Sequence, residues 1–457
     1  MTYLTPQKIA EITNGQYIGD ESLLNVRVMG AVRDNRDVQQ GNLFVCIRGE
    51  RVDGHSFANS AFDSGASCCL AEIEIPDAKG PYVLVTSTLK AIKKLGGYYR
   101  SLFNIPVIGI TGSVGKTTTK EMTAAVLGTK LNVLKTPENM NNELGVPLTL
   151  LSLDETYETA VIEMGVSEFG EMSRLAEMVR PDIFIMTKIG YSHLDNFGDL
   201  NGVLRAKSEA FKFMKSTGTA VLNGDDDLLR DYDPGIRKVT FGIHEHNDYR
   251  AENVCIENNN ETLFDIVNCS VRYKLRVPSY GSHLVLCALA AAATGRLLGL
   301  SYEDIAQGLL SYAPVGGRAN LTDTGFITLI NDCYNSNPNS VEAALSSLSM
   351  LPQRHVAILG DMLGLGEQSS QLHVDVGSFA ARCNIDCLIC CGDMAESIFK
   401  GFKSAGGNEA AAYYFKTKAE LISALPGLVQ KGDSVLIKAS HGMKFEELLP
   451  YLEGSFY

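Results

Sequence analysis

Val107-Ile108-Gly109-Ile110-Thr111-Gly112-Ser113-Val114-Gly115-Lys116-Thr117-Thr118-Thr119 opens, after Pro106, as an apolar β-branched run, the pattern of a buried parallel strand. It turns through Gly112 and Gly115 and enters a segment in which Met122, Ala125 and Val126 recur at helical spacing. Strand, glycine turn and helix in that order predict a phosphate cradle. Glycine lets backbone N–H groups converge on phosphate oxygens, the helix N-terminus adds a favourable dipole, Lys116 brings charge, and the Thr117 hydroxyl can reach Mg2+. The usual spacing has a glycine where Ile110 stands, and the extra glycines here are Gly109 and Gly112. A chance glycine turn is the competing reading, and the flanking strand and helix argue against it.

Beyond the loop, strands and helices alternate. The segment 159–163 is apolar until it ends in Glu163, and ligands of open α/β sheets bind past the carboxyl ends of strands. That places Glu163 where a nucleotide-bound Mg2+ sits, with a helix-capping or salt-bridged glutamate as the alternative. The strand predicted over 182–187 runs on to His193, a candidate metal ligand or orienting group. In the helix predicted over 200–214, Lys207 falls on the face of Val203, Leu204, Ala210, Phe211 and Met214. An unpartnered buried charge is costly, so a liganded or modified lysine is one reading and a snorkelling stem the other. From 238 to 277 the period switches to two, as in a half-buried antiparallel insertion, and an alanine-rich helix over 284–298 follows.

The flanks read as two further α/β units. Before residue 104, a helix capped by Thr5, strands over 42–47, 68–71 and 82–85, and helices over 57–62 and 89–103 are expected. Arg36 and Arg48, with Asp53 and His55, would suit a sugar-phosphate pocket; an ordinary polar loop is the alternative. After residue 313, strands over 327–330, 355–359, 387–391 and 434–437 alternate with helices, a Rossmann-like pattern without GxGxxG. Arg318 precedes its first strand, and the polar cluster 332–337 ends that strand. The expected fold is α/β in three domains: a small α/β domain (1–103), a central P-loop ATPase-like parallel-sheet domain with a β insertion (104–313) and a C-terminal Rossmann-like domain (314–457).

A chain of 457 residues suits several cores. Its 45% hydrophobic and 20% charged content are those of a globular protein. A net charge of −13 argues against a broad nucleic-acid or membrane-surface role. No apolar window is long enough to span a membrane and no export signal is seen at Met1–Pro6, so a cytoplasmic protein without membrane insertion is expected. Eleven cysteines, mostly in apolar context as at Cys68-Cys69, Cys255, Cys287 and Cys390-Cys391, read as core thiols of a reducing compartment. The Cys387/Cys390 pair resembles half a zinc site with no second half nearby.

Taken together these motifs resemble the Mur ligases, over nearly the whole chain. The segments 41–45 and 49–55 look like the family's UDP-sugar-binding part, 112–118 its ATP loop, and 139–147 a further signature. The segments 360–362 and 438–440 look like later signatures of the C-terminal domain. The resemblance implies an ATP-dependent, ADP-forming ligase of peptidoglycan synthesis that adds D-Ala-D-Ala to a UDP-MurNAc-tripeptide, expected to work as a monomer. ATP would contact Gly112, Ser113, Val114, Gly115, Lys116, Thr117, Thr118, Arg318, Asp332, Asn335 and Asn337. The UDP-MurNAc-peptide would contact Asn35, Arg36, Arg48, Asp53, His55, Asn139, Asn141 and Asn142. Thr117, Glu163 and His193 would hold Mg2+, joined by Lys207 if carbamylated, and Lys116, Glu163, His193 and Lys207 would carry the catalysis. This chain departs from the family at Asn35 (usually Ser), Lys188 (usually Asn), Leu284 and Cys287 (usually asparagines near the adenine) and Gly364 (usually Glu). Rival readings are a sister Mur ligase, a folylpolyglutamate-synthetase-like ligase, or a P-loop nucleotide-binding module without ligase activity, including an inactive paralogue.

Overall fold

The strand Val107–Thr111 is buried along its whole length and has a parallel neighbour on each side, Thr159–Glu163 and Ile183–Met186. In the computed structural model, which describes residues 4–49, 52–257, 261–281, 283–317 and 320–454, these strands are the heart of a nine-stranded sheet. The parallel part runs Val133–Lys135, Thr159–Glu163, Val107–Thr111, Ile183–Met186, Thr219–Asn223, Arg237–Gly242, Tyr249–Glu257. Its β-branched strands are covered on both faces, as parallel sheets require. Thr111, Glu163 and Thr187 therefore come out side by side at the carboxyl edge.

The expected β insertion is not a separate element. Arg237–Gly242 and Tyr249–Glu257 join the parallel sheet, and Glu261–Asn268 and Val271–Val277 extend it antiparallel. Leu275 and Val277 are buried and Arg272, Lys274 and Arg276 exposed, as alternation predicts, but Val271, beside the turn, lies open. Cys255 is likewise exposed rather than in a core. The helix expected over 200–214 stops at Ser208 and continues as the 3-10 turn Glu209–Phe213. There the Glu209 carboxylate accepts from the backbone N–H groups of Gly170 and Ser173, each at 3.1 Å, at the start of helix Glu171–Val179.

The first sheet has the order Gln16–Ile18, Tyr82–Leu84, Cys68–Ala71, Leu43–Val45, Ala31–Val32, parallel apart from the first pair. Helix Thr88–Ser101 links it to the centre. Gly96 lets that helix approach Pro147 so closely that a Cβ would lie 2.7 Å from the proline ring, and Ile92, Leu95 and Tyr99 share one apolar core with Val146, Leu150 and Met178. The third sheet runs Asn320–Asp323, Thr328–Asn331, Ser434–Lys438, His355–Gly360, Cys387–Cys391, Ala412–Phe415, all parallel but for the first pair. Its cysteines Cys387, Cys390 and Cys391 are buried core thiols, and no metal-type cluster of three or more His, Cys, Asp or Glu occurs among the described residues. No described helix is long and apolar enough to cross a membrane.

The C-terminal domain rests on the loop that follows Ile183–Met186. Asn337 Nδ2 donates to Ser192 Oγ at 3.1 Å, Tyr191 N to Asn339 Oδ1 at 3.3 Å and Leu194 N to Gly364 O at 3.0 Å. Gly364 adopts φ +74 at this contact. On the far side Tyr280 Oη donates to Ser347 O at 2.7 Å.

Candidate active site

Between the central and C-terminal domains lies a cleft of about 640 Å³, lined on one wall by residues 112–116 and on the other by Asp332, Asn335 and Lys438. The phosphate loop is held from below: Ser113 N donates to Lys188 O (2.8 Å), Ser113 Oγ and Gly190 exchange bonds of 2.9 Å, and Thr187 Oγ1 donates to Val114 O (2.6 Å). Gly112 at φ +151 and Gly115 at φ +85 adopt conformations that side chains resist, and Gly115 is the left-handed cap from which helix Lys116–Leu127 begins. Lys116 Nζ donates to Gly112 O at 2.9 Å. Val114 and Thr118 also line the cleft.

Glu163 is 1% exposed and satisfied on both oxygens: Thr117 Oγ1 donates to Oε2 at 2.8 Å and Asn141 Nδ2 to Oε1 at 2.7 Å. The strand end and the loop helix thus deliver a hydroxyl and a carboxylate to one point. An oxygen donor set of this kind suits a hard cation such as Mg2+. Asn141, expected to meet the sugar-peptide, has its amide committed to Glu163. Asn142 lines the cleft, and its Oδ1 accepts from Leu144 N and Gly145 N (3.2 and 2.9 Å) where helix Gly145–Leu150 begins. Asn139 contributes its backbone carbonyl to a turn with Asn141 N (2.7 Å) and does not line the cleft.

Lys207 is 2% exposed, lines the same cleft, and has no hydrogen-bond or ion-pair partner among the described residues. Burial, then the Lys116 charge, brings its pKa well below the usual 10.5, against a smaller opposing pull from Glu171. The neutral amine this favours is a nucleophile. His193 lies across the cleft in a left-handed conformation, φ +54. It is exposed at the cleft, and partial desolvation by the surrounding atoms, followed by the Lys207 and Lys116 charges, lowers its pKa below 6.5.

On the opposite wall, Lys438 (2% exposed) donates to Asp332 Oδ2 at 2.5 Å and to Asn335 O at 2.9 Å. Asn335 Oδ1 accepts from Ser336 N at 2.8 Å. Asn337 is the N-cap of helix Pro338–Leu348 as well as the interdomain donor to Ser192, so its side chain is spent on the fold. Arg318 lies outside the described residues. The Gly360-Asp361-Met362 signature is structural here, since the Asp361 carboxylate accepts from Asp393 N, Met394 N and Ala395 N at the start of helix Ala395–Ser404.

The expected sugar-phosphate residues stand apart from this cleft. Arg48 Nε reaches Asp53 Oδ2 at 3.4 Å, and His55 Nδ1 lies 2.5 Å from Asp53 Oδ1. Because His55 Nε2 accepts from Glu72 N (2.9 Å), the proton is on Nδ1 and is donated to Asp53. Arg36 forms a separate two-pronged pair with Asp34 (2.9 and 2.5 Å), and Asn35 Nδ2 donates to Ser60 Oγ (3.4 Å). Both groups follow neighbouring parallel strands and share the carboxyl end of the first sheet as two bonded clusters. Glu50 and Arg51 of that motif lie outside the described residues.

Lys120 escapes the sequence reading and is fully buried behind Glu163. Lys438, expected only as part of the 438–440 signature, is buried under Asp332. His283 lines the cleft, its Nδ1 buried and without a hydrogen-bond partner among the described residues. Helical periodicity could not find Lys120, because helix Lys116–Leu127 is covered on almost every side, with Ala124 rather than Ala125 buried. Leu284 and Cys287 are both buried, and Cys287 Sγ lies 3.9 Å from Gly115 O, directly under the phosphate loop.

A phosphate loop, a buried hydroxyl–carboxylate pair beside it and a second α/β domain closing over both define a nucleotide-dependent ligase of the three-domain α/β class. Family models match in chain order: the Mur ligase family catalytic domain over 31–99, the Mur ligase middle domain over 110–295 and the Mur ligase glutamate ligase domain over 317–441. The chain belongs to the Mur ligase family. It is 36% identical over 451 residues to the UDP-N-acetylmuramoyl-tripeptide–D-alanyl-D-alanine ligase of Bacillus subtilis, covering 97% of each chain. To the enzyme of that name from Escherichia coli it is 33% identical, covering 99% of each. Its fold is similar to a crystal structure of MurF from Acinetobacter baumannii (TM-score 0.88, 30% identity, 99% of each chain). It is similar also to MurF from Thermotoga maritima in complex with ADP (TM-score 0.80, 28% identity, 93% of this chain and 97% of that one).

Proposed function

We propose that the chain joins D-Ala-D-Ala to the terminal carboxylate of a UDP-MurNAc-tripeptide, converting ATP to ADP and phosphate in peptidoglycan synthesis. One observation carries the reading: the phosphate loop, the Thr117–Glu163 pair and Lys207 share one cleft, faced by Asp332 and Lys438. A carboxylate resists an amine until one of its oxygens becomes part of a leaving group. The terminal carboxylate attacks the γ-phosphorus, ADP departs, and the acyl phosphate is taken by the D-Ala-D-Ala amine. The tetrahedral adduct then expels inorganic phosphate.

The loop amides of residues 112–117 and Lys116 hold the phosphates in line, so catalysis is mainly positioning and charge neutralisation. Thr117, Glu163 and His193 would hold Mg2+, which neutralises charge on the transferring phosphoryl group when bound. A neutral Lys207 amine adds to CO2, giving a carbamate whose anion would complete that set and remove the cost of an unpartnered lysine. Asp332 and Asn335 would face the nucleotide from the C-terminal domain, joined there by Asn337, whose side chain also docks the domains; the resemblance adds Arg318, which lies outside the described residues. The first domain, taken as residues 1–103 with the others following at 104–313 and 314–457, offers Arg36, Arg48, Asp53 and His55, with Asn35, to the UDP end. Both walls of the cleft come from one chain, which supports a monomer, and a substrate of this class supports work in the cytoplasm.

Phosphate release from ATP is the test, measured with a panel of UDP-MurNAc-peptides with and without D-Ala-D-Ala. Release that needs both the tripeptide and D-Ala-D-Ala, with a pentapeptide product, is expected. Release supported instead by a dipeptide acceptor and a single amino acid would assign the chain to a sister ligase.

A further inference from the structure

Lys120 is fully buried, a position that is costly for an ammonium unless it is bonded. Its three N–H donors are all used: on Thr136 O at 2.8 Å, Glu138 O at 3.2 Å and Glu121 Oε1 at 2.9 Å. Glu163 Oε2, at 4.0 Å, lies within its field but is not needed as an acceptor. The two carbonyls belong to the segment that wraps Glu163. Thr136 Oγ1 accepts from Glu163 N at 2.9 Å, and Asn141 Nδ2 reaches Glu163 Oε1. Between them Glu138 holds a left-handed φ of +41, a strained conformation that persists only where surroundings fix it. Thr117, which holds the other carboxylate oxygen, is on the same helix as Lys120, one turn earlier.

We propose that Lys120 is a positioning residue for the cation site: it clamps segment 136–141 onto the phosphate-loop helix, so that Asn141 and Thr117 together fix the orientation of Glu163. Lys120 touches neither substrate nor cation. The inference rests on the assignment of Glu163 to the metal, and it opposes a purely electrostatic expectation. Removing a positive charge 4.0 Å from Glu163 would by itself strengthen cation binding, whereas loss of the clamp weakens it.

Mn2+ binding in the presence of ADP, followed by the EPR signal of the free ion, separates the two. Glu163→Gln sets the reference, Lys120→Met removes the clamp, Lys120→Gln retains a donor for the Thr136 carbonyl, and Lys135→Met disturbs only the outer partner of Glu121. The clamp predicts that Lys120→Met weakens Mn2+ binding about tenfold, the scale of outer-shell effects on metal affinity. Lys120→Gln falls between it and the parent, and Lys135→Met matches the parent. Unchanged or tighter Mn2+ binding in Lys120→Met overturns the proposal. If Lys120→Met does not fold, Lys120→Gln carries the test, and failure of both to fold also overturns it, because the lysine then serves the fold. If Glu163→Gln leaves Mn2+ binding intact, the metal assignment itself is what fails.

Discussion

Lys207 and Glu163 are equally buried, at 2% and 1% exposure, and their surroundings treat them in opposite ways. Glu163 is bonded on both oxygens, whereas Lys207 has no hydrogen-bond or ion-pair partner among the described residues and is pushed toward its neutral form by burial and by Lys116. With a folded-state pKa below the unfolded 10.5, the native state binds fewer protons than the unfolded chain between the two values, so stability rises with pH across that window. In CO2-free buffer Lys207→Met is therefore expected to raise the melting temperature near neutral pH, by an amount that shrinks as pH approaches 10.5. The same lysine should be indispensable for turnover: Lys207→Ala is expected to lose roughly 100-fold in ligase rate, the scale of removing one charge-stabilising group, and added small carboxylic acids should restore part of it. A steady-state assay of the parent and Lys207→Ala, with and without added acetate, checks both. Lys207 was legible because its helix has one wet face, so a lysine on the dry one stands out. Lys120 was not, because a helix enclosed on nearly all sides has no face to compare.

At the scale of elements, Val107–Thr111, Thr159–Glu163 and Ile183–Met186 are legible as unbroken apolar runs, and their carboxyl ends locate Glu163 and His193. Gln16–Ile18, Ala31–Val32, Val133–Lys135, Thr219–Asn223, Asn320–Asp323 and Ala412–Phe415 are strands that the sequence reading leaves out. Five of them are short edge strands with partly exposed residues, whereas Thr219–Asn223 is buried throughout in mid-sheet. Asn142 and Asn337 show why a polar loop is hard to divide: each lines the cleft and each also accepts from backbone N–H groups at the start of a helix, so one asparagine serves the fold and still faces the site. The loop between strand and helix makes its own prediction. A Cβ on Gly112 would collide with the Thr187 hydroxyl that supports Val114, and strain of this kind costs about 1–3 kcal/mol. Gly112→Ala is expected to weaken ADP binding tenfold or more by calorimetry while the C-terminal domain is undisturbed.

Across the whole molecule, one apolar core runs through all three domains. Helix Thr88–Ser101 joins the first domain to the second in it, and Leu194 and Tyr280 of the second share it with Leu345, Leu348, Met362 and Leu365 of the third. Hydrogen bonds at Ser192, Tyr191 and Leu194 add to the seam between the second and third, and the cleft opens beside it. A cleft between two domains suits parting for substrates and closure for chemistry. Such closure excludes water from an acyl phosphate, which would otherwise hydrolyse. Oxygen transfer reports that intermediate directly. With 18O in the terminal carboxylate of the UDP-MurNAc-tripeptide, the acyl-phosphate route predicts one labelled oxygen in each inorganic phosphate released during D-Ala-D-Ala-dependent turnover. Phosphate released without label, at the same rate of pentapeptide formation, would contradict it.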